Sequence, residues 1–362
     1  MCSEQGYVNR YYKSIISIFS YFGALLYIFE FGHPIWIHFG PTSWPGTLGV
    51  LLFFGISGYL MGQTLEKKES LKTFYRKKFI RLFIPWIIAY VFMSIIDLSI
   101  GIINHDFFSF TPISSILWNS LSINEILNVI SFMVPYENHL MTLLSFNNIF
   151  VGEWFVGTLF ILYLISPLLY RLVKCKVWYI IFACFILLGI VFYFCFGRYF
   201  VVSWWFFIAR IPDFILGMLL YYRRELLSNK IINLVALVVF ILALIKSLFI
   251  TPNSLNYINN FLPQSPELYM SGLPIIYFSF RIAKAMQNIP GIQYFNRLAP
   301  VGYAMILLQH TIIYMITSHI FIPTLNILGY LVFFMVDIII TIRLSNTLYK
   351  LYTPIENYLI TR

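Results

Sequence analysis

GVLLFFGISGYLMGQTLEKKESLKTFYRKKFIRLFIPWIIA, residues 49–89, reads as two membrane helices joined by a strongly basic turn. The first half, from Gly49 to Gly62, is apolar apart from Ser57. Its glycines at 49, 55, 58 and 62 let a neighbouring backbone come close, as small residues do in lipid-embedded bundles. The second half starts with Arg76, Lys77, Lys78 and Arg81 and reaches Pro85 one turn later, so a collar of cations precedes the apolar run. Seven Lys and Arg residues fall between positions 67 and 81, more than a helix end requires.

Outward from this hairpin the chain keeps the same character. Of its 362 residues, 60% are hydrophobic and 10% charged, whereas soluble chains are about a quarter charged. A span needs roughly 20 apolar residues. The apolar runs place spans near 14–31, 45–63, 80–100, 151–171, 177–196, 203–222, 231–250, 267–286, 301–322 and 325–342. The expected fold is an all-α integral membrane protein, one domain over residues 1–362 built as a single bundle of about ten transmembrane helices. The first run is a retained helix, since FGHPIW follows it without a small-x-small cleavage site. With the N-terminus inside, 21 of the 24 Lys and Arg residues fall on that flank and on alternate loops, which places both termini in the cytoplasm.

The net charge of +10 is therefore spread over membrane-flanking loops. It points to anionic lipid headgroups or an anionic cytosolic ligand and away from nucleic acid. The longest loop, 101–150, falls outside and holds no Lys or Arg; ISSILWNSLSINEILNVISFMV within it has the spacing of short interfacial helices. Cys184 and Cys195 sit three turns apart on one span and cannot pair. No cysteine or histidine spacing suits a metal, and none is expected.

Few polar groups fall inside the spans. All six histidines (His33, His38, His105, His139, His310 and His319) lie on the outer half in this topology. His310 stands apart: beside Gln309 in the middle of a span, it would face lipid only at a cost of several kcal/mol and must face the bundle interior. There it serves either an interhelical hydrogen bond or a reaction as base. Glu30 and Glu153 are the acidic residues nearest that interior. Arg210 and Asp213, three apart in RIPDF, can pair on one helix face or contact a substrate. Arg76, Lys77, Lys78 and Arg81 suit the phosphates of a cytosolic donor, because guanidinium forks match phosphate oxygens; positive-inside anchoring is the other reading.

GVLLFFGISGYLM and FYRKKFIRLFIPW, followed in order by GEWFVGTLFILYLISPLL at 152–169, RIPDFILGMLL at 210–220 and YAMILLQHTII at 303–313, resemble the membrane-bound acyltransferase-3 family. The resemblance implies an O-acyltransferase of the cytoplasmic (inner) membrane. Such an enzyme moves an acyl group, most simply acetyl, from cytosolic acyl-CoA to a sugar hydroxyl of a surface polysaccharide, with acyl-CoA as co-substrate and no bound cofactor. It also implies a role for His310 and for Glu153 and Trp154 in the GEWF motif; for Arg210 the alternative to the ion pair is contact with a sugar hydroxyl or a thioester carbonyl. The first helix departs from the family's Arg/Lys-x10-His pair: Arg10 leads to Tyr21, Lys13 to Ala24, and the apolar alignment puts Ser20 and Phe31 at the two positions. A base must then come from His33, His310 or Glu30, or else the chain keeps the fold without the reaction and acts in glycan export or beside the biosynthetic machinery.

Overall fold

The computed structural model describes residues 44–67, 69–104, 153–196, 207–249, 267–286, 301–308, 312 and 327–361, and among these residues it is helical with no strand. The helices are α1 (Trp44–Glu66), α2 (Leu71–Asn104), α3 (Glu153–Lys174), α4 (Trp178–Phe196) and α5 (Phe207–Tyr222). After a 3-10 turn (Arg224–Ser228) come α6 (Lys230–Phe249), α7 (Glu267–Met286) and α8 (Ile327–Thr361). A short helix covers 302–308. Leu71–Ile96 and Phe155–Lys174 are long and apolar enough to cross a membrane, and shorter apolar stretches lie in α1, α4 and α6.

These helices fall on the expected spans from the second to the tenth, the ninth only in part. The first span and residues 105–150 of the long loop lie outside the described residues. Two boundaries need correcting. The collar is not a turn before the second helix of the hairpin but the opening turns of α2 itself, because Ser70 caps that helix: its Oγ accepts from the Thr73 amide at 3.2 Å. The last helix runs on past Ile342 to Thr361, through Pro354, although the apolar run stops earlier.

The chain divides into two compact units, one of Met1–Glu69 and Leu162–Gly302, the other of Ser70–Ile161 and Tyr303–Arg362. In the first, α5 packs against α1, α4 and α7. The α1–α5 contact is backbone on backbone. A Cβ at Gly58 would fall inside the Phe214 carbonyl, and one at Gly217 inside the Gly55 carbonyl. Gly55 meets α7 as well, where a Cβ would lie 2.7 Å from Ile276 Cγ2. Glycines on both helices thus give the close approach expected of GISGYLMG, with van der Waals contact as the driving force.

One end of this unit gathers the basic loops. Tyr221 donates to Glu66 at the end of α1, Arg223 to the Cys175 carbonyl at 3.4 Å, and Lys284 to Ser228 at 3.1 Å. Cations lie on rings here: Lys174 Nζ is 4.2 Å from the Tyr170 centroid, and the Arg223 guanidinium 5.5 Å from Trp178. Pro167, inside α3, is accommodated locally. It has no N–H for the Tyr163 carbonyl, and the Ser166 hydroxyl donates to that oxygen at 2.7 Å instead.

In the second unit α2 and α8 pack together. They hold 34 and 35 residues, about 50 Å each at 1.5 Å per residue, against a hydrocarbon core of about 30 Å. Both therefore reach well beyond the apolar layer. The helices run antiparallel, because Arg76 reaches Ile360 while Arg81, further along α2, reaches Glu356, further back along α8. The segment 302–308 docks through Tyr303, whose hydroxyl donates to the Leu82 carbonyl at 3.1 Å.

Gly217→Ala should destabilise the protein by about 1–3 kcal/mol, because its Cβ meets backbone that cannot rotate away. Gly62→Ala should cost less, since its Cβ meets only the Tyr221 ring at 3.0 Å. Thermal unfolding in detergent tests the ranking; a Gly217→Ala protein as stable as the parent would contradict the backbone contact.

Candidate functional site

The collar occupies the first three turns of α2. Arg76 and Arg81 are exposed, Lys77 and Lys78 half-buried. Its arginines already have work within the fold. Arg76 Nη2 donates to the Ile360 carbonyl at 2.9 Å, and Arg81 Nε lies 3.3 Å from Glu356 Oε1. Ile360 is in the last turn of α8, where carbonyls lack helical partners and the helix end carries partial negative charge, so a guanidinium answers both needs. Lys78 Nζ stands 6.0 Å over the Phe74 ring. Glu356 carried no signal in the sequence, because its partner lies 275 positions away and the helix holding it was expected to end earlier.

Arg210 sits in the first turn of α5 in the first unit. Arg210 Nη1 lies 3.0 Å from Asp213 Oδ2, and both side chains are 1% exposed. This is the ion pair that the i, i+3 spacing allowed. Neither oxygen of Asp213 receives a well-aligned hydrogen bond among the described residues, so charge attraction alone holds the contact. Pro212 stands between the two, in the helix that presses its backbone onto α1.

Glu153 and Trp154 open α3, but their side chains lie outside the described residues. Glu30, His33 and His310 also lie outside them; the helix 302–308, which leads toward His310, is buried from Ala304 to Leu308. The collar and Arg210 thus fall in different units, and each is described on its own.

A third group was not singled out in the sequence. Asp337, Thr341 and Ser345 are buried along one face of α8. A lone aspartate in GYLVFFMVDIIITI was a visible signal, overlooked because no histidine or motif accompanied it.

A family model described as an acyltransferase domain matches residues 13–345, nearly the whole chain. The chain belongs to the acyltransferase-3 family. It is therefore a membrane acyltransferase in general type, with the described apolar helices that such a protein requires. No curated protein and no solved structure matches the chain.

Within this acyltransferase, the Arg81–Glu356 pair gives a pH signature. Burial holds the Glu356 carboxyl above the usual carboxylate range, and Arg81 pulls it partly back. An acid so raised binds its proton more tightly folded than unfolded, so stability falls as pH rises from the ordinary carboxylate value through the raised one. Arg81→Gln removes the opposing charge and should deepen that fall. Because Arg81 is 54% exposed, the loss above the window should stay under about 1 kcal/mol, vanishing in acid where Glu356 is protonated. Adding Glu356→Gln should remove the difference in pH dependence between Arg81→Gln and the parent. Melting temperatures measured across pH decide it, and a parent-like profile for Arg81→Gln would rule out the coupling.

Proposed function

We propose that this protein is an O-acyltransferase of the cytoplasmic membrane that moves an acetyl group from cytosolic acetyl-CoA to a sugar hydroxyl of a surface polysaccharide. The observation that carries this reading is the collar: four cations within six residues at one end of α2, in a chain of the acyltransferase-3 family. Coenzyme A presents a pyrophosphate and a 3′-phosphate, and charge-assisted contacts from Lys77, Lys78, Arg76 and Arg81 answer them. The donor's phosphates compete with Glu356 and the Ile360 carbonyl for the two arginines. The positive-inside rule then puts the collar, the end of α8 and the basic loops of the first unit in the cytosol, with both chain termini there, in a bundle of about ten spans.

Acyl transfer to a hydroxyl needs a base for the proton and a donor for the developing oxyanion. His310 is the first choice for the base, with His33 and Glu30 as the other candidates. Glu153, Trp154 and Arg210 are assigned to the acceptor. The hydroxyl oxygen attacks the thioester carbonyl, the base takes its proton, and the departing thiolate receives one to leave as free coenzyme A.

A second reading, favoured by Ser20 and Phe31 at the family's basic and histidine positions, is a non-catalytic protein of this fold acting in glycan export or as a partner of the biosynthetic machinery. Purified protein in liposomes separates the two: transfer of labelled acetyl groups to glycan supports the enzyme, and its absence with the fold intact supports the other.

Replacing Lys77 and Lys78 together by Gln should weaken acetyl-CoA binding by about 1.5–3 kcal/mol per direct phosphate contact, without disturbing the arginines that hold α8. Unchanged affinity by calorimetry would make the collar an anchor only. His310→Gln keeps a hydrogen-bonding side chain but loses the titratable nitrogen, so a general base should lose about 10²–10⁴-fold in rate. Activity near the parent's would move the base to His33 or Glu30.

A further inference from the structure

Helical hydroxyls in this protein usually turn back on their own helix. Thr64 donates to the Leu60 carbonyl at 2.8 Å, Ser99 to Ile95 at 2.7 Å, Thr347 to Arg343 at 3.1 Å and Thr353 to Tyr349 at 2.6 Å. Such back-bonding is the default for a hydroxyl with nothing else to do. Thr341 and Ser345 break the pattern. Both are wholly buried, and neither hydroxyl has a hydrogen-bond partner among the described residues. One turn before Thr341 is Asp337, also wholly buried, with neither carboxylate oxygen receiving a hydrogen bond there. At four-residue spacing the three lie along one face, about 12 Å from end to end.

The facing helix adds a fourth group. The register set by Arg76 with Ile360 and Arg81 with Glu356, carried thirteen residues beyond Arg81, brings Ser94 of α2 level with Arg343, between Thr341 and Ser345. Ser94 is buried, and its hydroxyl too lacks a partner among the described residues, although Ser99 on the same helix back-bonds. The cations of α2 lie at its other end, from Lys72 to Arg81, while Asp97 stands three residues on from Ser94; Arg343 on α8 is exposed. Among the described residues no charged side chain acts on the Asp337 carboxyl.

A buried carboxylate with neither donor nor counter-charge costs several kcal/mol, and intramembrane acids commonly mark ion or proton paths. We propose that Asp337 is the anionic centre of an intramembrane site for a small monovalent cation, hydronium or sodium, with the Thr341 hydroxyl one turn away as its nearest neutral oxygen and Ser345 and Ser94 continuing the polar track by which the ion reaches it. The residues offer oxygen only, the donor type that hard cations and hydrated protons take. Four separate hydroxyl and carboxyl groups left without partners among the described residues, along one stretch of about 12 Å of two packed helices, favour an occupant over a packing accident. The site lies wholly within the second unit and does not depend on the acyl-transfer reading.

An apolar carbodiimide tests this on the full-length protein in liposomes, because it converts a protonated carboxyl in an apolar setting to a stable N-acylurea that peptide mass spectrometry locates. Asp337 should be modified, and Asp337→Asn should remove that peptide's label. Sodium added at constant pH should protect Asp337 if sodium is the occupant. Should sodium leave it unprotected, labelling that falls about tenfold per pH unit on the alkaline side identifies the proton. A Thr341→Val, Ser345→Ala protein, which keeps volume and removes both hydroxyls, should shift the half-protecting sodium concentration about tenfold, or the labelling midpoint by about one pH unit. Asp337 unmodified in intact protein, labelling indifferent to both sodium and pH, or a double variant indistinguishable from the parent would each overturn the proposal.

Discussion

Every polar atom placed within an apolar helix bundle must find a partner close by, and that constraint explains more of this structure than any single contact. Backbone groups meet it by staying helical, which is why the described chain contains helices and turns and no strand. Pro167 breaks the rule locally and is repaired locally, where Ser166 donates to the carbonyl it leaves open. Helix ends meet it through cations: Arg76 closes the last turn of α8 at Ile360. Where the constraint goes unmet among the described residues, at Asp337, Thr341, Ser345 and Ser94, the structure departs from its own habit.

The same constraint separates two kinds of buried charge. Arg210 and Asp213 carry their compensation with them on one helix, 3.0 Å apart, so the pair can be buried inside the first unit at limited cost. Replacing one member would strand the other, which is far more destabilising than the pair is stabilising. Asp337 carries no such compensation among the described residues. A pair at i, i+3 is compatible with a structural role, whereas a lone carboxyl calls for something to bind.

In the proposed reaction the collar joins packing to function. Four cations at the opening of α2 fit a phosphorylated donor by charge, yet two of them also hold the end of α8. The contacts are compatible with donor binding because they are exposed and individually weak, so an anionic ligand can compete for the same guanidinium groups.

The sequence by itself determined the class and the placement of most helices. Apolar run length, scarce charge and basic loops are properties of local composition, and local composition suffices to fix where a chain can cross a membrane. The glycines of GISGYLMG also announced a close helix contact, though not that α5 would supply Gly217 to it, since a helix names its own small residues and not its partner's. The Arg210–Asp213 pair was legible because both partners lie on one turn of one helix. Only tertiary structure joined Arg81 to Glu356, set Ser94 level with Thr341 and Ser345, and left the Asp337 oxygens without donors among the described residues. Those facts depend on which faces of distant helices meet and at what register, and neither is written in the periodicity of any one helix.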